Sequence, residues 1–457
     1  MKFRKFGKAL LMAALSLGVI AGVASCTQSY TVGFLFVTGN NTAGPNGTGY
    51  ITGFKIDHNT GNLTEIHGLP VVGSQGSNPG RAVLTNGSRF VYVLNRGTDQ
   101  ITGGVCTAGT PAGQCNGANI SEFAVGGTGI LSSQPPVYFS QGYNPFRIVA
   151  DSQGNFLYVL DAVAPSSAAC QAALGPTITT CGDITAFKID PSTGRLTLLV
   201  NAQVSSVTGS PLPYFPVPAN PIDMALTSSF LFTLSGLPGA TPNTGDVVFP
   251  YSFNTGNGQL TISQNSAQPI NAGAGTAIVA ASGIIYVLDN EPITIQPGNS
   301  GNFAAGTYLS QILPFTTGNG GALQAQTGGA VPDDPNQSGP IMLISEAKGK
   351  WVYLANQGAN SGGTVAQSGI VGYVIDPQSK QLTPMAGSPF GTGSGPQCLL
   401  EDPSNQFFYT ANFTDSSVTG KLLDVNAGTL SQIKIKGNDS FKLPGPPAWC
   451  FVSGRTS

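Results

Sequence analysis

A short alternation of apolar and small polar residues, centred on an aromatic, returns seven times along the chain. The copies read LFVTG (35–39), VYVLN (91–95), LYVLD (157–161), LFTLS (231–235), IYVLD (285–289), VYLAN (352–356) and FYTAN (408–412). Their aromatics, Phe36, Tyr92, Tyr158, Phe232, Tyr286, Tyr353 and Tyr409, are spaced by 56, 66, 74, 54, 67 and 56 residues. Spacing of this kind describes one structural unit repeated with loops of varying length.

A second strand with period-2 alternation follows in each copy, as in ITGFKID (51–57), ITAFKID (184–190) and IVGYVID (370–376). After it comes a turn such as DHNTGN or DPSTGR, whose residues accept φ > 0 or preset a turn. A short strand then appears: NLTEI (62–66), RLTLL (195–199), QLTIS (259–263), QLTPM (381–385) or TLSQI (429–433). A Pro- or Gly-led apolar run, such as NPFRIVADSQGNF (144–156), leads into the next copy. Four strands per copy predict an all-β fold, a seven-bladed β-propeller with four-stranded antiparallel blades. The chain opens on the second strand of a blade, and PPAWCFVSG (446–454) matches a first strand. The N- and C-terminal strands are therefore expected to share one blade, closing the ring and removing its edges. The propeller is placed at 34–454.

Residues 1–25 read as a leader: Lys2, Arg4, Lys5 and Lys8 precede the apolar run 9–22, too short for a permanent membrane span. Val23-Ala24-Ser25-Cys26 resembles a bacterial lipobox, which implies an acylated Cys26 as the mature N-terminus and a tether over 26–33. Thr27 after that cysteine is compatible with outer-membrane sorting, on the periplasmic or surface side. Losing four cations with the leader takes the net charge from −2 to −6. With 19 Lys+Arg against 21 Asp+Glu there is no basic field, so nucleic acid is not an expected partner. Gly 62 and Pro 33 favour turns and strands over helices. Cys106 with Cys115 and Cys170 with Cys181 are close pairs in loop sequence, expected as disulfides in an oxidising compartment. No histidine lies near them, neither spacing suits zinc, and neither metal nor cofactor is expected. Cys398 and Cys450 sit in apolar strand-like sequence and read as buried thiols as readily as a bonded pair.

The repeats resemble YVTN-type propellers, and more closely the seven-bladed lactonase family that includes bacterial 6-phosphogluconolactonase-like proteins. The resemblance rests on the x-Y-V-x-N strand, on FKIDPSTGRLT (187–197) and on PQCLLEDP (396–403), and spans nearly all of 33–454. It implies the propeller fold and, more weakly, lactone hydrolysis, because the matching motifs belong to the scaffold. That family commonly has a histidine in the lead-in to the innermost strand, and no copy here has one. His58 and His67 instead fall in a peripheral turn and at an outer strand's end.

Strand order puts the long loops 96–119, 162–183, 290–307 and 357–369 on one face, where binding residues concentrate. Two places after the leading Pro stand Arg81, Arg147, Asp223, Met342, Cys398 and Trp449, expected to line the central pocket. The two arginines with Asp223 read either as a clamp for a carboxylate or phosphate, or as a network knitting blades together. For activating water, only carboxylates such as Asp223, Asp289, Glu291 or Glu401 are available. Asn95, Asp161, Asp289, Asn356 and Asn412, which close the second strands, read as turn caps rather than pocket acceptors. Two functions follow as expectations. One is an envelope lipoprotein, held to a membrane by its lipid, that binds a small molecule, carbohydrate or protein on the long-loop face. The other is a hydrolase opening a sugar-acid or related lactone; a cytosolic sugar phosphate would be out of its reach.

Overall fold

In the computed structural model, residues 30–454 are described apart from 41–47, 70–71, 86, 88, 207, 237–244, 264–266, 298–302, 359–366 and 434–439. The leader, Cys26 and the start of the tether lie outside the described residues. Seven antiparallel sheets, each built on the predicted four-strand order, follow one another along the chain. Blade 3 is representative: Tyr143–Ala150 is innermost, then Phe156–Val163, Gly182–Ile189 and Leu196–Leu199. The outer edge departs from the expectation of one continuous strand. In six blades a second short segment, Phe215–Val217 in blade 3, pairs with the other end of the third strand. Blade 2 makes the same contact through the single bridge Ile120–Tyr138.

Blade 1 closes as the sequence predicts. Thr31–Asn40 pairs with Pro447–Gly454, placing Phe36 opposite Phe451 and Thr38 opposite Trp449. Cys398 and Cys450, whose state the sequence leaves open, are bonded to each other. They join the innermost strands of blades 7 and 1, with Cα atoms 5.8 Å apart. Cys106–Cys115 and Cys170–Cys181 are the other two disulfides.

The period-2 pattern explains how the blades pack. Tyr92 and Leu94 point into the core shared with blade 3, while Val91 and Val93 point into the core shared with blade 1. Such two-sided burial makes the second strands apolar throughout. All seven second-strand aromatics are fully buried. Four of the tyrosines also cross to the next blade, donating their hydroxyls to carbonyls in its outer turn. Tyr92 reaches Gly194, Tyr158 reaches Gly258 at 2.8 Å, and Tyr353 and Tyr409 reach Gly428 and Gly61 at 2.6 Å. The recurring turn, Asp- or Asn-led and closed by Gly as in DHNTG, DPSTG, NTGNG and DVNAG, is shaped for this contact. Asp190 Oδ1 accepts from the Ser192 hydroxyl and from the Ser192 and Thr193 amides, and these bonds pull its carboxyl down to about 2. The glycine takes φ > 0 against the preceding blade: at Gly428, φ is +76° and a Cβ would stand 2.6 Å from the Trp351 ring.

The three disulfides differ in reach. Replacing Cys398 and Cys450 together by Ala should cost about 4 kcal/mol on chain-entropy grounds, against about 3 for Cys170 and Cys181. Guanidinium unfolding midpoints check this. An unchanged midpoint for the first variant would mean that the closure does not rest on this bond.

Candidate functional site

The innermost strands share a feature that aims their side chains. In all seven, pairing to the second strand slips directly after the leading Pro or Gly, as between Pro79 and Ala82 or Pro145 and Arg147. Such a bulge bends the strand and re-aims the residues beside it. On the long-loop face these bulges surround a cavity of about 420 Å³. Arg81, Arg147 and Trp449 line it, as do Arg96, Phe146, Phe413 and the amides of Asn40, Asn78, Gln357 and Gln397.

Asp223 is 1% exposed and does not line the cavity; it lies behind the arginines. Arg81 holds it in a fork, Nη1 to Oδ1 at 3.0 Å and Nη2 to Oδ2 at 3.3 Å. Arg147 Nε reaches Oδ1 at 3.1 Å, and the Ile278 amide donates to Oδ2 at 3.3 Å. The network reading is therefore realised. It also leaves two guanidiniums sharing one carboxylate, so the pair carries a net positive charge toward the cavity. Burial and the neighbouring Arg81 lower the Arg147 guanidinium to about 10, against the pull of Asp223. Arg81 stacks over Trp449, 4.6 Å from the ring centroid.

Arg96 is a site residue that sequence reasoning missed. It follows Asn95 at the mouth of the 96–119 loop. Gly80, in the bulge, lies beside its stem: a Cβ there would stand in ordinary contact, 3.4 Å from Arg96 Cγ and Cδ. Its Nη2 donates to the Cys106 carbonyl at 2.9 Å, so the Cys106–Cys115 loop holds it in place. Its Nε is buried with no partner, and burial lowers its pKa. The one signal available in sequence was a cation opening a long loop.

The remaining candidates lie elsewhere. Cys398 is fully buried in its disulfide and Met342 packs against the core of blades 7 and 1; neither lines the cavity. His58 stacks on Tyr30 at the opposite face, 4.4 Å between ring centres, and His67 is exposed beyond a short outer strand. Asp289, Glu291 and Glu401 do not line the cavity. Asp289 accepts from the Ala274 amide and from Gln311, and burial raises it to about 6. Glu401 is raised by burial to about 7 at the far end of its strand. Asn95, Asp161, Asp289, Asn356 and Asn412 are fully buried, and none lines the cavity. Instead of capping turns, most bind side chains of the same blade: Asn95 Nδ2 meets Asn119 and Ser121, and Asn412 Nδ2 meets Ser417 and Thr419.

No family model matches the chain, and no curated protein matches it. Solved structures do. The periplasmic gluconolactonase of Pseudomonas aeruginosa aligns over 93% of this chain and 100% of its own, with TM-score 0.57 and 15% identity. A 6-phosphogluconolactonase candidate from Bacteroides fragilis aligns over 92% and 98%, with TM-score 0.58 and 15% identity. A Lactobacillus plantarum protein aligns over 93% and 99%, with TM-score 0.55 and 13% identity. This chain has the fold of these propellers. At such identities the likeness extends to the scaffold, so the site must be read from its own residues.

Asp223→Ala should lower the unfolding free energy by about 3–5 kcal/mol, because two partly buried arginines lose their counter-charge. Urea denaturation checks it; a loss below that of Arg81→Ala would contradict the shared role. A second expectation concerns pH. Burial raises Asp333 to about 7, and Asp289 to about 6. Folding then takes up protons at these groups, so their contribution to stability is full below about pH 4 and is lost as pH rises through 6 and 7. The slope from each such group is at most about 1.4 kcal/mol per pH unit. Asp333→Asn should flatten the melting-temperature profile between about pH 4 and 7; an unchanged slope would refute this assignment.

Proposed function

We propose that this protein is an exported lipoprotein whose axial cavity binds a compact anion, best a carbohydrate bearing a carboxylate or phosphate. The observation that carries the reading is the excess of arginine: Arg81, Arg96 and Arg147 meet at one cavity against the single buried carboxylate of Asp223. Guanidiniums fork onto carboxylate and phosphate oxygens, and a partly enclosed site strengthens that attraction. Trp449 offers an aromatic face beside the charge, and the four amides can meet hydroxyl groups. Lactone hydrolysis would need a group to activate water. Among the described lining residues there is no histidine or carboxylate, and Asp223 is occupied by both arginines. Binding without chemistry is therefore preferred over hydrolysis.

Three disulfides agree with an oxidising compartment. Tyr30, near the tether, stacks on His58 in an outer turn, on the face away from the cavity. An acylated Cys26 would thus hold that face to the membrane and leave the cavity outward.

Calorimetry on the leaderless chain tests the site with gluconate, glucuronate and glucose 6-phosphate, and with neutral glucose as control. The anions should bind and glucose should not. Arg81→Ala and Arg147→Ala should each weaken binding by about 10–100-fold, the value of a hydrogen bond to a charged group. The corresponding lactones are added to the same samples. Turnover lost in the arginine variants would establish a hydrolase instead, and failure of every anion to bind would overturn the reading.

A further inference from the structure

Four of the seven blades set two polar residues opposite each other at the end of the second strand and the start of the third, whereas blades 4 and 6 set Ser235 against Val247 and Asn356 against Gly369. In blade 2 it is Asn95 donating to Asn119 at 2.7 Å, and in blade 5 Gln311 donating to Asp289 at 2.8 Å. In blade 7 Asn412 donates to Ser417 at 3.0 Å. Each of these pairs joins a donor to an acceptor. Blade 3 breaks the rule. Its pair is Asp161 and Asp183, directly opposite in register, and both are fully buried.

Two carboxylates at such a place cannot satisfy one another as anions. Asp161 receives Ser140 Oγ at 2.6 Å and Thr185 Oγ1 at 3.3 Å. Asp183 receives nothing: both of its oxygens are buried without a hydrogen-bond partner. The two side chains converge beside Gly142. A Cβ there would lie 2.6 Å from Asp161 Cβ and closer still to Asp183 Oδ1. No cation of the protein is at hand, because the two ion pairs among the described residues both engage Asp223. The phenols of Tyr214 and Tyr251 lie within reach of the Asp183 charge, their pKa values raised first by burial and then by it. The Cys170–Cys181 loop, with its helix Ser167–Leu174, leaves and re-enters the blade at these two strand ends.

We infer that Asp161, Asp183, Ser140 and Thr185 form a site for a hard divalent cation, separate from the axial cavity. Two carboxylates and two hydroxyls are the oxygen donors such ions take, with calcium more tolerant than magnesium of irregular geometry. Bound there, the ion would supply the positive partner that an amide supplies in blades 2 and 5. It would also brace the strand end opposite Pro145, two residues before Arg147.

The leaderless chain, stripped with a chelator, is titrated at pH 7.5 with calcium chloride alone and, in a second arm, with magnesium chloride. One ion should bind per chain in competition with a chromophoric chelator, and the melting midpoint should rise by several degrees. Asp183→Asn and Asp161→Asn, each made singly, should remove that binding. Asp183→Asn should also melt higher than the stripped parent, because the like-charge pair is gone. Either ion binding with loss in the variants supports the site. Binding of neither ion, or undiminished binding in either folded variant, overturns it and leaves a shared proton as the partner.

Discussion

A phenol reaching from one blade into the outer turn of the next couples the ring together. Tyr92, Tyr158, Tyr353 and Tyr409 each make this bond with a turn carbonyl, and each is fully buried beside it. A buried hydroxyl without a partner costs far more than the bond itself contributes, so position and partner are specified together. The turn must then present its carbonyl at one height, which its Asp and its left-handed glycine secure. Tyr286 shows the exception: its hydroxyl is buried without a partner, and Lys380 stands at the glycine position of the next blade's turn.

Ring closure extends the same logic to the two ends of the chain. Strand Pro447–Gly454 completes the sheet begun by Thr31–Asn40, and the Cys398–Cys450 bond fixes it to blade 7. With no free innermost edge, the bulges of all seven blades face a common axis. Charge collected there comes from few residues and is correspondingly one-sided. Blades 2 and 3 supply three arginines, blade 4 supplies one carboxylate, and blades 5 to 7 supply neutral side chains such as Thr276, Ile341 and Gln397.

Repetition also makes departures informative. The polar pair at the mouth of blades 2, 5 and 7 is an interior hydrogen bond, and low dielectric makes an unmatched member expensive. Asn with Asn, Asp with Gln and Asn with Ser are interchangeable solutions in this chain. Asp161 with Asp183 is not, because it offers only acceptors. That contrast exists only because sister blades provide the reference.

Much of the scaffold was legible in the residues because its determinants are local and periodic. Alternation of two reveals strands buried on both sides, D-x-x-T-G marks the turns, and seven recurrences with complementary ends count the blades and close the ring. Arg81, Arg147 and Trp449 were found by offset from a leading proline, but the same offset also marked Met342 and Cys398, which do not reach the cavity, and Asp223, which lies behind the arginines. Contacts that depend on distant partners were not legible. Arg96 lines the cavity with its guanidinium held by the Cys106 carbonyl across the loop. Cys398 meets Cys450 across a blade boundary, 52 residues away, and in six blades a second short segment pairs at the other end of the third strand. The sequence alone determined the repeat and where its variable loops lie, because those follow from near-neighbour sterics and burial. Tertiary structure alone decided which charges face one another, because an unpaired charge is settled by whatever the folded ring brings within hydrogen-bonding distance.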